Sequence, residues 1–485
     1  MLLRDYQLRA LDDVRASFRA GNRRVMLQLP TGGGKTLTGA SMIAGALSRG
    51  GRALFVAHRL ELIDQSVSTF ARLGITSLGV IRAGDRRRDP SQPVQVASIQ
   101  TLSRRQTVVD GVTLVLIDEA HRASSESYVK SLFDAYPQAR FVGLSATPAR
   151  QNGKPLGKYF DAMVHGPTYS ELIAQGHLVA PLVYSTPLLP DLASVRTVAG
   201  DYNAEDLDAA VNNSALIGNL LTEWQQRADG RRTVVFAVSV AHSQAIVNEF
   251  VGAGVRAEHL DGGTPEDERR AILGRLESGE TQVVSNVGVL CEGWDQPACK
   301  CLVLACPTKS LVRYMQMGGR VLRPWQGVQP IILDHGGCVD RHNVPHADRE
   351  WSLDGSVAST GVAPVKACAA CFAMIGAAYM ICPHCGYEFP APPAQERLPE
   401  IDPRLKYVEL ALRTLDVSGD PEASRFHELA TKARERGWRP GAAYHKFIEQ
   451  FGHEPAHAWT LALKRAYNRD AAWRAQVEQR IGGAE

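Results

Sequence analysis

The sequence predicts an α/β protein: two tandem parallel-sheet domains, then a small cysteine-bearing module and a mainly helical C-terminal extension. Two successive sets of short apolar runs, each separated by amphipathic stretches, predict the paired sheets. Two C-x-x-C pairs and a tail of helical pattern predict the rest. At 485 residues the chain is also too long for a single core, which requires two large domains and something smaller.

The first set of runs is Val25 to Leu29, Ala53 to Ala57, Val94 to Ala97, Val112 to Ile117 and Phe141 to Leu144. Such runs of β-branched and aliphatic residues are what strands covered on both faces require. The second set is Thr233 to Ala237, Gln282 to Ser285, Cys301 to Ala305 and Ile331 to Leu333. Between the sets, Pro181 to Asp201 holds several prolines and no clean period, so it reads as a hinge. The expected division is a first domain over 1–180, a linker and hinge over 181–214 and a second domain over 215–345. A connector over 346–365, a cysteine module over 366–390 and a helical extension over 391–485 complete it.

A hydrophobic fraction of 45% with 22% charged residues is that of a soluble globular protein. The formal net charge is only +3, so any nucleic acid must be held by local patches and not by a global field. No apolar run approaches a membrane span, and the charged start, with Arg4, Asp5, Arg9, Asp12 and Asp13, argues against a signal peptide. A cytoplasmic protein without a membrane partner is the expectation. Nine cysteines, an odd count, suit reduced thiols and metal ligation better than a disulfide framework.

Two elements carry chemistry in the first domain. In Pro30-Thr31-Gly32-Gly33-Gly34-Lys35-Thr36, the glycines let backbone N–H groups wrap phosphates, Lys35 reaches the outer phosphates and the Thr36 hydroxyl can ligate Mg2+. In Asp118-Glu119-Ala120-His121, a buried strand ends by delivering Asp118 to the same metal, with Glu119 beside it to orient and deprotonate water. The pair, in this order, implies metal-assisted hydrolysis of a nucleoside triphosphate.

Over roughly residues 1–340 the order of motifs resembles the superfamily 2 helicases, closest to the RadD-like and restriction-motor-like DEAH group, the latter being like the res subunit of type III restriction enzymes. The resemblance implies two RecA-like domains with ATP between them. Arg4-Asp5-Tyr6-Gln7 resembles the adenine-reading segment, with Arg4 and Gln7 at the base, and His121, Asp295 and Gln316 join the same nucleotide site by the resemblance. Gln316-Met317-Gly318-Gly319-Arg320-Val321-Leu322-Arg323 matches the pattern Q-x-x-G-R-x-x-R, which assigns Arg320 and Arg323 to the transferred phosphoryl group. Ser145-Ala146-Thr147 resembles the motif coupling the nucleotide site to the strand-binding face. Arg59, Ser98 and Thr101 resemble the residues that grip one strand's backbone. Gly293-Trp294-Asp295 resembles the motif that touches ribose and strand, although Val287-Gly288 stand where many relatives carry Thr-Asp; RadD-like sequences tolerate this.

Cys368-Ala369-Ala370-Cys371 and Cys382-Pro383-His384-Cys385-Gly386 form two knuckles, and four thiolates in two close pairs suit tetrahedral Zn2+. The other five cysteines lack paired spacing and read as buried thiols. In the tail, Lys432, Arg434, Arg436, Trp438, Arg439, Tyr444, Lys446 and Phe447 interleave basic and aromatic character. They are open to two readings, a nucleic-acid surface or an amphipathic bundle with a solvated basic face.

The expectation is thus a DNA-stimulated ATPase of the helicase or translocase class using ATP, Mg2+ and Zn2+. The resemblance implies single-stranded or branched DNA as partner, a role in DNA repair or recombination, nucleoid association, and admits single-strand-binding or recombination proteins as partners. Alternatives are the motor subunit of a restriction system, RNA remodelling, and a zinc-ribbon scaffold that uses ATP as a switch.

Overall fold

The computed structural model describes residues 3–58, 60–105, 109–122, 126–149, 155–291, 293–355, 357–358, 363–390 and 421–482. The chain forms two compact units, 1–389 and 390–485. Among the described residues no helix is long and apolar enough to cross a membrane.

The first unit opens with a seven-stranded, all-parallel sheet. Its strands are β1 (Arg24–Gln28), β2 (Arg52–Ala57), β3 (Leu78–Ile81), β4 (Val94–Ser98), β5 (Val112–Ile117), β6 (Arg140–Ser145) and β7 (Ala162–His165), in the order β3-β4-β2-β5-β6-β1-β7. All five expected runs are strands, and the central ones are buried along nearly their whole length because helices cover both faces. The order sets β5, β6 and β1 side by side, so the loops after Ile117, Ser145 and Gln28 emerge together at one edge.

The second sheet is also parallel and has six strands in the order β12-β13-β11-β14-β15-β8. They are β8 (Leu182–Tyr184), β11 (Thr233–Phe236), β12 (Ala257–Leu260), β13 (Val283–Asn286), β14 (Cys301–Leu304) and β15 (Ile331–Asp334). The segment 181–214 is not the loose linker its prolines suggest. It contributes the edge strand β8, a hairpin of β9 (Thr197–Val198) and β10 (Asp201–Tyr202), and the helix Ala204–Val211. Asn203 caps that helix by accepting from the N–H groups of Glu205 and Asp206.

The expected connector 346–365 does more than connect. It carries the short pair β16 (Glu350–Trp351) and β17 (Val357–Ala358) and returns to the first domain, where the Leu353 carbonyl accepts from the N–H groups of Leu156 and Gly157. Asp348 accepts from Ser170 N–H at 3.1 Å. The chain then crosses back. A hairpin of β18 (Val365–Ala367) and β19 (Met374–Gly376) docks against β8, with a bridge between Tyr184 and Ala373 and a bond from Ser185 N–H to the Phe372 carbonyl.

In the second unit, helices Pro421–Glu435, Gly441–Phe451, His457–Arg469 and Ala471–Gly482 enclose Phe426, Phe447, Leu463, Trp473 and Val477. The part of the expected extension over 391–420 lies outside the described residues.

Candidate ATP site and cysteine cluster

The phosphate loop joins β1 to the helix Lys35–Leu47. Gly34 caps that helix with φ +80°, and a Cβ there would lie 2.4 Å from Gln7 Nε2, so both backbone conformation and space demand glycine. The loop is tied down from below: Leu29 N–H donates to the Ser145 carbonyl and Gly33 N–H to Pro30. From above, Tyr6 OH donates to the Gly33 carbonyl at 3.1 Å. Gln7, expected at the adenine, is buried and bonds protein groups: its Oε1 accepts from Arg4 N–H at 3.0 Å and its Nε2 faces the Gly33 carbonyl at 3.4 Å. In this arrangement the Arg4–Gln7 turn buttresses the phosphate loop.

Asp118 and Glu119 follow β5 and are both 9% exposed. Glu119 takes a left-handed φ of +46°, a conformation costing a non-glycine residue roughly 1–3 kcal/mol, and the turn it makes directs the carboxylate back toward the loop. Its Oε1 lies 3.5 Å from Lys35 Nζ and its Oε2 3.4 Å from His121 Nδ1. Burial alone would raise this carboxyl, yet the charges of Lys35, His121 and Arg320 hold it below the usual carboxylate range. It therefore stays ionised and able to accept a proton.

His121 is the junction of the site. Its Nδ1 pairs with Ser145 Oγ at 2.9 Å, and its Nε2 lies 3.4 Å from Gln316 Nε2 in the second domain. Ser145 Oγ also accepts from Thr147 N–H at 3.1 Å. One imidazole thus touches Glu119, Ser145 and the opposite domain.

The second domain meets the loop through the helix Leu311–Gly318 and the 3-10 turn Gly319–Val321. A Cβ on Gly319 would stand 2.7 Å from Thr31 Cβ, and one on Gly32 3.8 Å from Arg323 Cγ, so this turn lies directly on the phosphate loop. The two arginines sit on and just after the 3-10 turn, not on one regular helix. Arg320 donates to the carbonyls of Cys291 (2.6 Å) and Trp294 (2.6 Å), and Arg323 pairs with Asp295. Asp295 is thereby placed with the arginines. Gly293, at φ +72°, packs toward Leu62 of the first domain.

Ser98 ends β4, in register beside Ala57 of β2, and Thr101 lies in the helix Ile99–Arg105 that follows. Ser98 Oγ bonds Gln100, whose amide donates to the His58 carbonyl at 2.9 Å. Arg59 lies outside the described residues.

Sequence reasoning missed Tyr6, Asn286 and Lys300. Asn286, the last residue of β13, donates to the Val235 carbonyl and accepts from Leu290 N–H. Lys300 is buried, its amine pulled down to about 8 by desolvation, and donates to the carbonyls of Val321 and Arg323. Only its position beside the basic motif, invisible in spacing, marks it.

Residues 1–150 match the family described as type III restriction enzyme, res subunit, and residues 212–324 match the helicase conserved C-terminal domain. A 51.5 kDa protein of a Lactococcus phage is 30% identical over 389 residues, covering 79% of this chain and 82% of its own. The chain belongs to the superfamily 2 helicases. It is related within them to the motor subunits of restriction enzymes. A Saccharomyces cerevisiae protein assigned as the ATP-dependent helicase IRC3 is 32% identical over 342 residues, 66% of this helicase and 49% of the yeast chain. A fragment assigned to the HsdR subunit of a type I restriction enzyme from Vibrio vulnificus superposes with a TM-score of 0.56 at 20% identity, covering 72% of this chain and 66% of that one. This helicase spans about half the length of its yeast relative. Its motor is that of an ATP-dependent helicase or translocase acting on nucleic acid.

Cys368, Cys371, Cys382 and Cys385 bring their four sulfurs within 4.8 Å of one another, with Sγ–Sγ separations of 3.6 Å (Cys368–Cys385) and 3.7 Å (Cys371–Cys382). A tetrahedral ZnS4 centre with bonds of about 2.3 Å has S–S edges of about 3.8 Å, so the donor set fits this metal. Burial raises Cys368, but the N–H groups of Cys371 and Ala370 point at its sulfur and bring the thiol down to about 7. Cys291, Cys299, Cys301, Cys306 and Cys338 are all buried, and burial pushes Cys299 and Cys301 up to about 12, the state of inert thiols.

Proposed function

We propose that this helicase is a DNA-stimulated translocase whose ATP site is split between its two sheets. The observation that carries the reading is the seam at His121, where the residue beside Glu119 meets Gln316 across the domain interface. In this reading the backbone of Thr31 to Gly34 and Lys35 hold the phosphates, and Arg4 and Gln7 border the base. Thr36 and Asp118 would hold Mg2+, which neutralises phosphate charge. Glu119, kept ionised by Lys35 and His121, takes the proton of the attacking water. Arg320 and Arg323 face the developing charge on the transferred phosphoryl group, oriented by the carbonyls of Cys291 and Trp294 and by Asp295.

Hydrolysis removes the group that both domains grip, so the seam loosens and re-forms once per ATP. With Ser98 and Thr101 on one domain and Gly293 on the other holding a strand's backbone, each cycle advances the strand. The kinship with restriction motors supports DNA as the track, and the RadD-like pattern of a motor followed by paired C-x-x-C knuckles supports work in DNA repair or recombination. The match to the res subunit favours one second reading, the motor of a restriction system whose cleavage lies in another subunit. In the cysteine module, four thiolates would hold one structural Zn2+.

The test is ATP turnover measured without polymer and with single-stranded DNA, duplex DNA or RNA. DNA should stimulate turnover at least about tenfold, and Lys35→Ala and Glu119→Gln should each lower kcat by about a hundredfold or more. Equal turnover with and without polymer would overturn the motor reading.

A further inference from the structure

The helical unit sorts its cations into two groups. Arg425 pairs with Glu428 and donates to Gln450, and Arg434 pairs with Asp470, which in turn caps Trp473 N–H. These hold the bundle together. Arg436, Arg439 and Lys446 are exposed, and among the described residues none of them pairs with a carboxylate. They surround the turn between the first two helices of the bundle.

That turn is built to hold one indole at the surface. Gly437 takes φ +60° and donates to the Arg434 carbonyl, Trp438 N–H donates to the Ala433 carbonyl at 2.7 Å, and Trp473 Nε1 donates to the Trp438 carbonyl at 2.8 Å. The backbone is thus fixed from both sides while the ring stays half-buried. Arg436 lies 5.1 Å and Lys446 4.6 Å from the ring centroid. The two cations are therefore no more than about 10 Å apart, close enough to meet neighbouring phosphates of one strand. Residues 421–482 carry a net charge of +4, against +3 for the whole chain, so the positive charge is concentrated here.

We propose that Arg436, Trp438, Arg439 and Lys446 form a single-strand binding site, the three cations holding phosphates and the indole offering its ring to a base. The proposal deepens the reading of the chain as a nucleic-acid motor: it adds a contact for the polymer that the motor sheets do not contain.

The test uses the full-length protein with no nucleotide and an oligothymidylate strand of about 30 nucleotides, titrated across a series of salt concentrations. Arg436→Gln, Arg439→Gln and Lys446→Gln together should weaken binding by about tenfold or more, and should flatten the slope of log K against log salt by about two, since each lost contact to a single strand removes about 0.7. Trp438→Phe tests the ring alone: affinity should fall while the salt slope stays at the parent value. Arg425→Gln, which alters a paired cation of the same bundle, should bind as the parent does. Circular dichroism and melting establish that each variant is folded. A folded triple variant with the parent's affinity and slope would overturn the proposal. This readout needs no ATP turnover, so it separates from failure of the motor reading, in which DNA would bind yet leave turnover unchanged.

Discussion

His121 joins three parts of the candidate site. Both its ring nitrogens are engaged, one toward Ser145 and Glu119 and the other toward Gln316. The energy of two such hydrogen bonds, about 1 kcal/mol each, is small beside ATP binding but large on the scale of a rate. His121→Ala is therefore expected to lower DNA-stimulated kcat by about tenfold or more while shifting KM for ATP less than about threefold, as steady-state kinetics would read. A matched rise in KM would instead place His121 in ground-state nucleotide binding. At this scale the sequence was most informative, because the chemistry of Lys35, Asp118, Glu119 and Arg320 depends on short, local spacing. What it could not show was tertiary pairing. That Gln7 also faces the Gly33 carbonyl is visible only in the folded chain, and Lys300 has no pattern at all until Val321 and Arg323 fold over its amine.

Among the elements, β8 and the cysteine hairpin depend on each other. An edge strand with unpaired N–H and C=O groups invites association with other chains, and here the hairpin covers part of that edge through Tyr184, Ser185, Phe372 and Ala373. Arg227 adds a cation over the Tyr184 ring at 4.4 Å. Replacing Cys382→Ser and Cys385→Ser together should remove about one Zn2+ per chain by metal analysis, lower the melting temperature by several degrees and promote aggregation. Full metal retention in that variant would dismiss the site. The C-x-x-C spacing was legible because two knuckles must present four sulfurs locally. β8 was not, since three residues among prolines acquire strand conformation only from β15 on one side and the hairpin on the other. The hairpin Thr197–Tyr202 escaped notice for a related reason: Asp201 fixes it by accepting from Thr308 Oγ1 and Lys309 N–H, more than a hundred residues away.

Across the whole molecule, desolvated histidines contribute to the response to acid. His242, His335 and His346 are each pulled down to about 4 by burial, below their usual 6.5. The unfolded chain therefore binds more protons than the folded one between pH 6.5 and 4, and stability falls as pH drops through that window, by up to about 1.4 kcal/mol per pH unit for each residue. Asp334, pushed up to about 6 by burial, acts oppositely between about 4 and 6 but is a single group. Melting temperature should accordingly be lower at pH 5 than at pH 7, and His335→Gln should reduce the difference. The two-domain plan at this scale was legible from the two sets of strands. The lacing between them was not, because it rests on main-chain bonds to which any residue type can contribute. That lacing has a mechanical result. Val179 is held on the second domain by the Leu322 carbonyl, and Leu353 is held on the first by Leu156 and Gly157. With the chain tied to the opposite sheet at both places, any turning of one sheet against the other must keep these main-chain bonds as its pivots or break them.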